Sequence, residues 1–264
     1  MKRIFASIAA AGVGLAFGAS AFAADIAPMY AKAPPAPPPF SWSGFYVGAQ
    51  GGAGWGTTTD NVLGLAVCVA PGPCAPFGAN TGTPQRQING WHGGVTAGYN
   101  WQIGQIVLGA EGDWSAADIS GKGDCSSLLG GIGIVSGCSS KLGDFATIDG
   151  RLGFAVDRAL IYVKGGVAYG HFSDTLNGGI GGGLTVAASA TDNRWGGTAG
   201  VGVEYAVAKN WSAKLEYDYM DFGTRTLNTT VTTNVPGATL ALTDSVREQV
   251  SVVKAGVNYR FDWR

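Results

Sequence analysis

Eight stretches of the chain alternate between apolar and polar side chains with a period of two. The clearest is 211–222 (WSAKLEYDYMDF), where Trp211, Ala213, Leu215, Tyr217 and Tyr219 share one parity and Ser212, Lys214, Glu216 and Asp218 the other. Successive side chains of an extended strand point to opposite faces, so this segment has one greasy side and one charged side. The pattern recurs at 45–56, 91–101, 106–116, 145–156, 161–172, 195–205 and 250–261. In the last of these, Val253, Ala255, Val257, Tyr259 and Phe261 alternate with Val252, Lys254, Gly256, Asn258 and Arg260.

The polar face carries full charges. Glu111, Asp113, Asp149, Glu204, Glu216 and Asp218 stand against Arg151, Lys164, Lys214, Lys254 and Arg260. Aromatic residues mark both ends of the apolar face. One set is Phe45, Trp101, Phe154, Tyr205, Trp211 and Phe261, and the other is Trp55, Trp91, Trp114, Phe145, Tyr169, Trp195 and Tyr219. Two aromatic belts bounding an apolar band suit a sheet that sits in lipid, where Trp and Tyr rings lie at the headgroups. The joins between segments are short on one side and long on the other, the long ones running over 57–89, 117–143, 173–194 and 223–249. Lipid offers no partner to backbone N–H or C=O groups, so such a sheet must close on itself. The predicted class is therefore all-β: an eight-stranded, antiparallel, up-and-down transmembrane β-barrel with long extracellular loops. Eight strands leave room only for side chains inside, and nearly balanced charges there are expected to pair.

Composition narrows the picture. Charged residues make up only 13% of the 264, hydrophobic residues 46%, and there are 44 glycines. A net charge of −1 offers no basic surface for nucleic acid. The first 23 residues read as an export signal: Lys2 and Arg3, an apolar run, then Ala21-Phe22-Ala23 as a cleavage site. Residues 24–41 form a Pro-rich periplasmic arm, extended and unable to join a sheet, and 42–264 the barrel domain. No 20-residue apolar helix follows Phe40, which excludes a helical membrane protein. Four cysteines agree with an oxidising destination. Of three pairings, the local one is expected, Cys68 with Cys74 and Cys125 with Cys138, in the first and second long loops. A zinc site is disfavoured because the spacings match no usual ligand pair and no His lies near.

The segments FSWSGFYVGAQGGAGWG (40–56), YVKGGVAYG (162–170), GVGVEYAVAKNWSAKLEYDYMDFG (200–223) and VKAGVNYRF (253–261) resemble the RopB-type outer-membrane proteins of alphaproteobacteria. These belong to the opacity-protein-like, eight-stranded barrels of the porin superfamily of Gram-negative bacteria. The resemblance covers the whole mature chain except the long loops. It implies insertion into the cell outer membrane by the barrel-assembly machinery, which reads a last strand ending in an aromatic. Tyr259 and Phe261 match that signal, and Trp263 keeps the facing of Phe261.

For chemistry, the chain offers two histidines. His92 is expected to point inward near the outer rim and His171 to lie on the apolar parity at a strand end, with Ser173 its only tempting neighbour. A hydrolytic triad needs a base, a nucleophile and an orienting acid in mutual reach, and no acid is specified. The chain is therefore expected to be no enzyme and to carry no cofactor, metal or nucleic acid. The expected role is structural, in envelope integrity and surface interaction, as a monomer contacting outer-membrane lipid and lipopolysaccharide. The alternatives are a small porin for passive diffusion, and a haemin-binding surface protein with His171 or His92 as axial ligand.

Overall fold

A computed structural model describes residues 40–77, 83, 85–125, 135–180 and 184–261, all within the compact unit Pro39–Arg264. The export signal, most of the Pro-rich arm and Trp263 lie outside the described residues. Nine strands are present among the described residues: β1 (Gly44–Val69), β2 (Ala75–Phe77), β3 (Gln85–Ile103), β4 (Ile106–Asp124), β5 (Val135–Val156), β6 (Ala159–Ile180), β7 (Leu184–Ala206), β8 (Trp211–Thr233) and β9 (Ala238–Arg260). β1 and β3 to β9 pair antiparallel with their chain neighbours, and β9 returns to β1, so eight long strands form a ring. The short β2 pairs only with the far end of β1. At one end all three joins are tight: Ile103 pairs with Ile106, Val156 with Ala159, and Ala206 with Ser212, while at the other end Ile180 pairs with Leu184 and Thr232 with Thr239.

The alternation assigns the faces. Trp91, Trp101, Ile148, Leu152, Val163, Val201, Leu215 and Val257 face outward and are exposed. Their neighbours on the same strands, among them Glu111, Asp113, Asp149, Lys164, Glu216 and Lys254, are buried inside. Both aromatic belts stand at the ends of this outward apolar band. One exception corrects the reading of the sequence. Phe145 is not in the outer belt but fully buried inside. Its parity is that of Thr147, Asp149 and Arg151, all inward on β5, so the strand carries it to the interior.

A second correction concerns the long joins. Residues 57–69, 117–124, 135–143, 173–180, 184–194, 223–233 and 238–249 are strand, not loop. The eight long strands run 19 to 26 residues, against the ~9–11 that span a bilayer. The ring therefore continues well past the upper aromatic belt. Cys68 is bonded to Cys74 and Cys125 to Cys138, at the far ends of the prolonged strands. Ahead of the first strand, Phe40 packs against the buried set at the short-turn end, with Trp42 edge-on to it at 5.1 Å.

Candidate functional site

Inward residues of single strands show how the interior is layered. Climbing β9 from the short-turn end, Asn258 and Lys254 give way to Val252 and Val250, then to Glu248. Each layer recurs around the ring.

The lowest is apolar. Trp42, Val107, Ala155, Leu160, Tyr162 and Ala206 pack together, and Arg260 lies over the Phe40 ring at 4.3 Å. Arg260 thus sits at the mouth, half-buried, donating to the Lys209 carbonyl at 3.0 Å. Trp42 is held by its backbone N–H, which donates to Gln102 Oε1 at 2.7 Å.

Above lies a sealed cluster holding every other predicted interior charge. Lys164 Nζ is 3.2 Å from Asp113 and Asp218, 3.3 Å from Glu111, 3.5 Å from Asp149 and 3.7 Å from Glu216. Lys214 reaches Glu216 at 3.0 Å, and Lys254 reaches Asp218 at 2.7 Å. Arg151 bridges Glu111 and Glu204, each at 3.1 Å, while its guanidinium stacks 3.8 Å above the Tyr162 ring. Glu111, Asp113, Asp149, Glu204, Glu216 and Asp218 outnumber Arg151, Lys164, Lys214 and Lys254 by two. Neutral donors offset the excess. Tyr46 donates to Glu111 at 2.7 Å, Tyr162 to Glu216 at 2.5 Å, Gln50 to Asp113 at 2.8 Å, and Asn258 to Glu204 at 2.9 Å. Buried ions persist only with such partners. The two tyrosines need glycine beside them: a Cβ on Gly98 would strike Tyr46, and one on Gly202 would strike the Tyr162 ring.

The third layer is apolar again: Ile88, Ile119, Leu142, Phe145, Ala168, Phe172, Met220, Phe222, Val250 and Val252 close the lumen at the level of the upper belt. His92 belongs here, inward and buried, its ring edge-on to Phe145 at 5.3 Å. His171 faces outward, its Nδ1 2.6 Å from Asn193 Oδ1. The structure does not bring the two histidines to one face.

A fourth layer, in the prolonged part of the ring, is hidden in the sequence because it falls in stretches that read as loops. Arg86 pairs with Asp60 at 2.5 Å and donates to Ser140 at 3.0 Å. Arg194 pairs with Glu248 at 2.8 Å and lies 3.6 Å from Asp174 and 3.4 Å from Asp192. Burial raises the Asp60 carboxyl to about 6 against the pull of Arg86, and Glu248 to about 8 against the pull of Arg194. Burial also raises Asp244.

An outward band of apolar side chains between aromatic belts, around a ring with its backbone paired, is a surface made for hydrocarbon. A family model described as "Outer membrane protein beta-barrel domain" matches residues 9–261. The chain belongs to that family. This outer-membrane barrel is 32% identical over 97% of its length to the 31 kDa outer-membrane immunogenic protein of Brucella melitensis, of which 99% is covered. It is 29% identical over 73% of its length to a 22 kDa outer membrane protein of Rhizobium leguminosarum, of which 70% is covered. Among solved structures it is similar to the outer membrane protein OprG of Pseudomonas aeruginosa, at 12% identity and a TM-score of 0.42 over 83% of this chain and 97% of that one. The protein is thus an integral barrel of the cell outer membrane, as its resemblance to the alphaproteobacterial barrels implies.

Proposed function

We propose that this barrel is a closed structural element of the envelope that presents its prolonged strands at the cell surface, not a diffusion pore. The observation that carries the reading is the layering: apolar side chains fill the lumen both below and above the ion cluster, and Lys254 and Glu248 are each 0% exposed. An ion crossing would have to shed its water at each apolar layer. The short-turn end, with Trp42, is the periplasmic side, and the long-strand end is the outer one. Relatives named as outer-membrane immunogenic proteins support exposure of the outer end.

Its partners are then lipid and lipopolysaccharide around the apolar band, and the assembly machinery acting on the β9 end at Tyr259 and Phe261. A single ring with its backbone groups shared between neighbours serves as a monomer. No catalytic role is assigned, since His171 faces the outer surface beside Asn193 while His92 is enclosed among Phe145 and its neighbours. Purified barrel in planar bilayers should give no conductance steps while its far-UV circular dichroism shows the folded strand spectrum. Discrete steps from folded protein would reverse the reading in favour of a porin.

A further inference from the structure

The ladder between β7 and β8 has a long break. Pairing runs from Ala206↔Ser212 up to Gly197↔Asp221 and resumes only at Ala187↔Thr232. Between these points β7 stays zipped to β6, for example Asp174↔Ala190 and Gly170↔Arg194. β8 stays zipped to β9, for example Thr224↔Arg247 and Thr230↔Ala241. The other register shifts skip only one or two residues of a strand. The unpaired stretch thus spans residues 188–196 of β7, about 30 Å of strand at ~3.3 Å per residue, and the two strands part beyond Gly196, which still abuts Asp221 and Phe222. It starts beside Trp195 and Tyr219 of the upper belt and runs outward from there. Backbone groups on its two lips face an aqueous level, so their unpaired state is tolerable there in a way that hydrocarbon would forbid.

What closes the slit is side-chain chemistry. Arg225 of β8 reaches across it: its Nη1 lies 3.2 Å from Asp192 Oδ2 and donates to the Asn193 carbonyl at 3.4 Å. Gly223, at a φ of 68°, provides the kink that precedes this crossing. Behind the lip, Arg194 draws β7 inward through Glu248 on β9 and Asp174 on β6. The groups that act on Glu248 are Arg194 from β7, Asp174 from β6, Arg86 from β3 and Asp60 from β1, with Asp192 of β7 against Arg194 and Asp244 of β9 near Asp60. Five carboxylates of this layer thus meet two buried guanidiniums, with Arg225 a third cation at the lip.

We propose that the β7–β8 slit is a side opening in the outer extension of the barrel, latched across its lips by Arg225, which opens as protons leave the carboxylates behind it. The direction follows from charge. With protons on Glu248 and Asp60 the layer is close to neutral and stays dry. As pH rises through about 6 for Asp60 and about 8 for Glu248, the buried anions outnumber their partners. A carboxyl raised in the folded state stabilises that state fully below its ordinary range, and the contribution is lost as pH climbs through the raised value. Excess buried charge is relieved by water, and the wall yields first where no ladder holds it.

The test uses the whole folded barrel in detergent. Ala190→Cys places a thiol on the inward side of the slit and Thr191→Cys one on the outward side of the same strand. Each rate with a water-soluble maleimide is divided by that thiol's own thiolate fraction, from its separately measured pKa, so the ratio reports access. The ratio should rise at least several-fold between pH 6 and pH 9. It should stay low throughout in Glu248→Gln, and be high already at pH 6 in Arg225→Ala. A constant ratio in the parent, or a full rise that persists in Glu248→Gln, overturns the proposal. Hydrogen exchange on the unaltered chain probes the same opening without substitutions. Residues 188–196 should lose protection at high pH, after correction for intrinsic exchange, while 197–206 keep theirs. Equal behaviour of the two segments refutes the latch.

Discussion

Replacing Lys164 with Met tests the ion cluster at its hub. The ammonium lies 3.2 to 3.7 Å from Asp113, Asp218, Glu111, Asp149 and Glu216, and its side chain is 0% exposed. At an effective dielectric near 20, each contact at 3.2 Å is worth about 5 kcal/mol before desolvation. Desolvating the lysine itself costs several kcal/mol, which the substitution recovers. The carboxylates left behind cannot leave the lumen, and a buried pair broken on one side costs about 3–5 kcal/mol. With a guanidinium slope of about 3 kcal/mol per molar, the unfolding midpoint should fall by about 1 M or more. The measurement is tryptophan fluorescence of refolded barrel in detergent, read at low and high salt. Burial predicts that the loss is nearly independent of ionic strength. Lys141→Ala is the control: its pair with Asp118 is 2.9 Å long but 53% and 76% exposed, and should change stability by at most about 1 kcal/mol. Equal midpoints for the two variants would show that water, not lysine, neutralises the interior, and the layered seal would have to be abandoned.

Other consequences are as concrete. Gly202→Val forces the Tyr162 ring off its bond to Glu216, and should lower stability by at least about 1–3 kcal/mol in the same unfolding measurement, with Gly98→Val acting likewise through Tyr46. Phe172→Ala, which deletes one ring of the 5.1 Å edge contact with Phe222, should cost about 3–5 kcal/mol yet leave planar bilayers silent, because the ion cluster and the lower apolar layer remain. Conductance in that variant would show that the upper layer alone closes the lumen. Serine in place of Cys125 and Cys138 should leave the barrel's circular dichroism unchanged, since that bond closes only 13 residues at the far end. Loss of the strand spectrum would place the bond in the folding core.

The part of the molecule inside lipid is legible in the sequence because its two environments differ most. On β8, Leu215 and Tyr217 face hydrocarbon while Lys214 and Glu216 face partners, so polarity flips at every residue. Phe145 is misleading because aromatic character by itself suggests a belt position, whereas its parity with Asp149 points inward. Beyond the upper belt the outside is water, and the contrast fades. Thr224, Thr226 and Asn228 are outward and polar, while the inward side of the same level holds Asp60, Arg86 and Glu248. With polar residues on both faces the period-two signal weakens, and the stretch reads as loop. Arg86 and Arg194 consequently escape notice, since their partners Asp60 and Glu248 come from other strands. Phe40 reads as part of the Pro-rich arm for a similar reason: its contact is with Arg260, 220 residues on.

The overshoot of the strands sets the height at which the protein meets its surroundings. About ten extra residues per strand, inclined at ~40°, raise the hairpin tips roughly 25 Å above the upper ring of tryptophans. A stiff turret of this kind places its summit clear of the lipid headgroups without relying on floppy segments. A large molecule approaching that end would touch the far ends of the prolonged strands first, two of which carry sulfur bridges. Changes of residue at those ends are remote from the seal, so the crest can diversify while the walls beneath keep their fit.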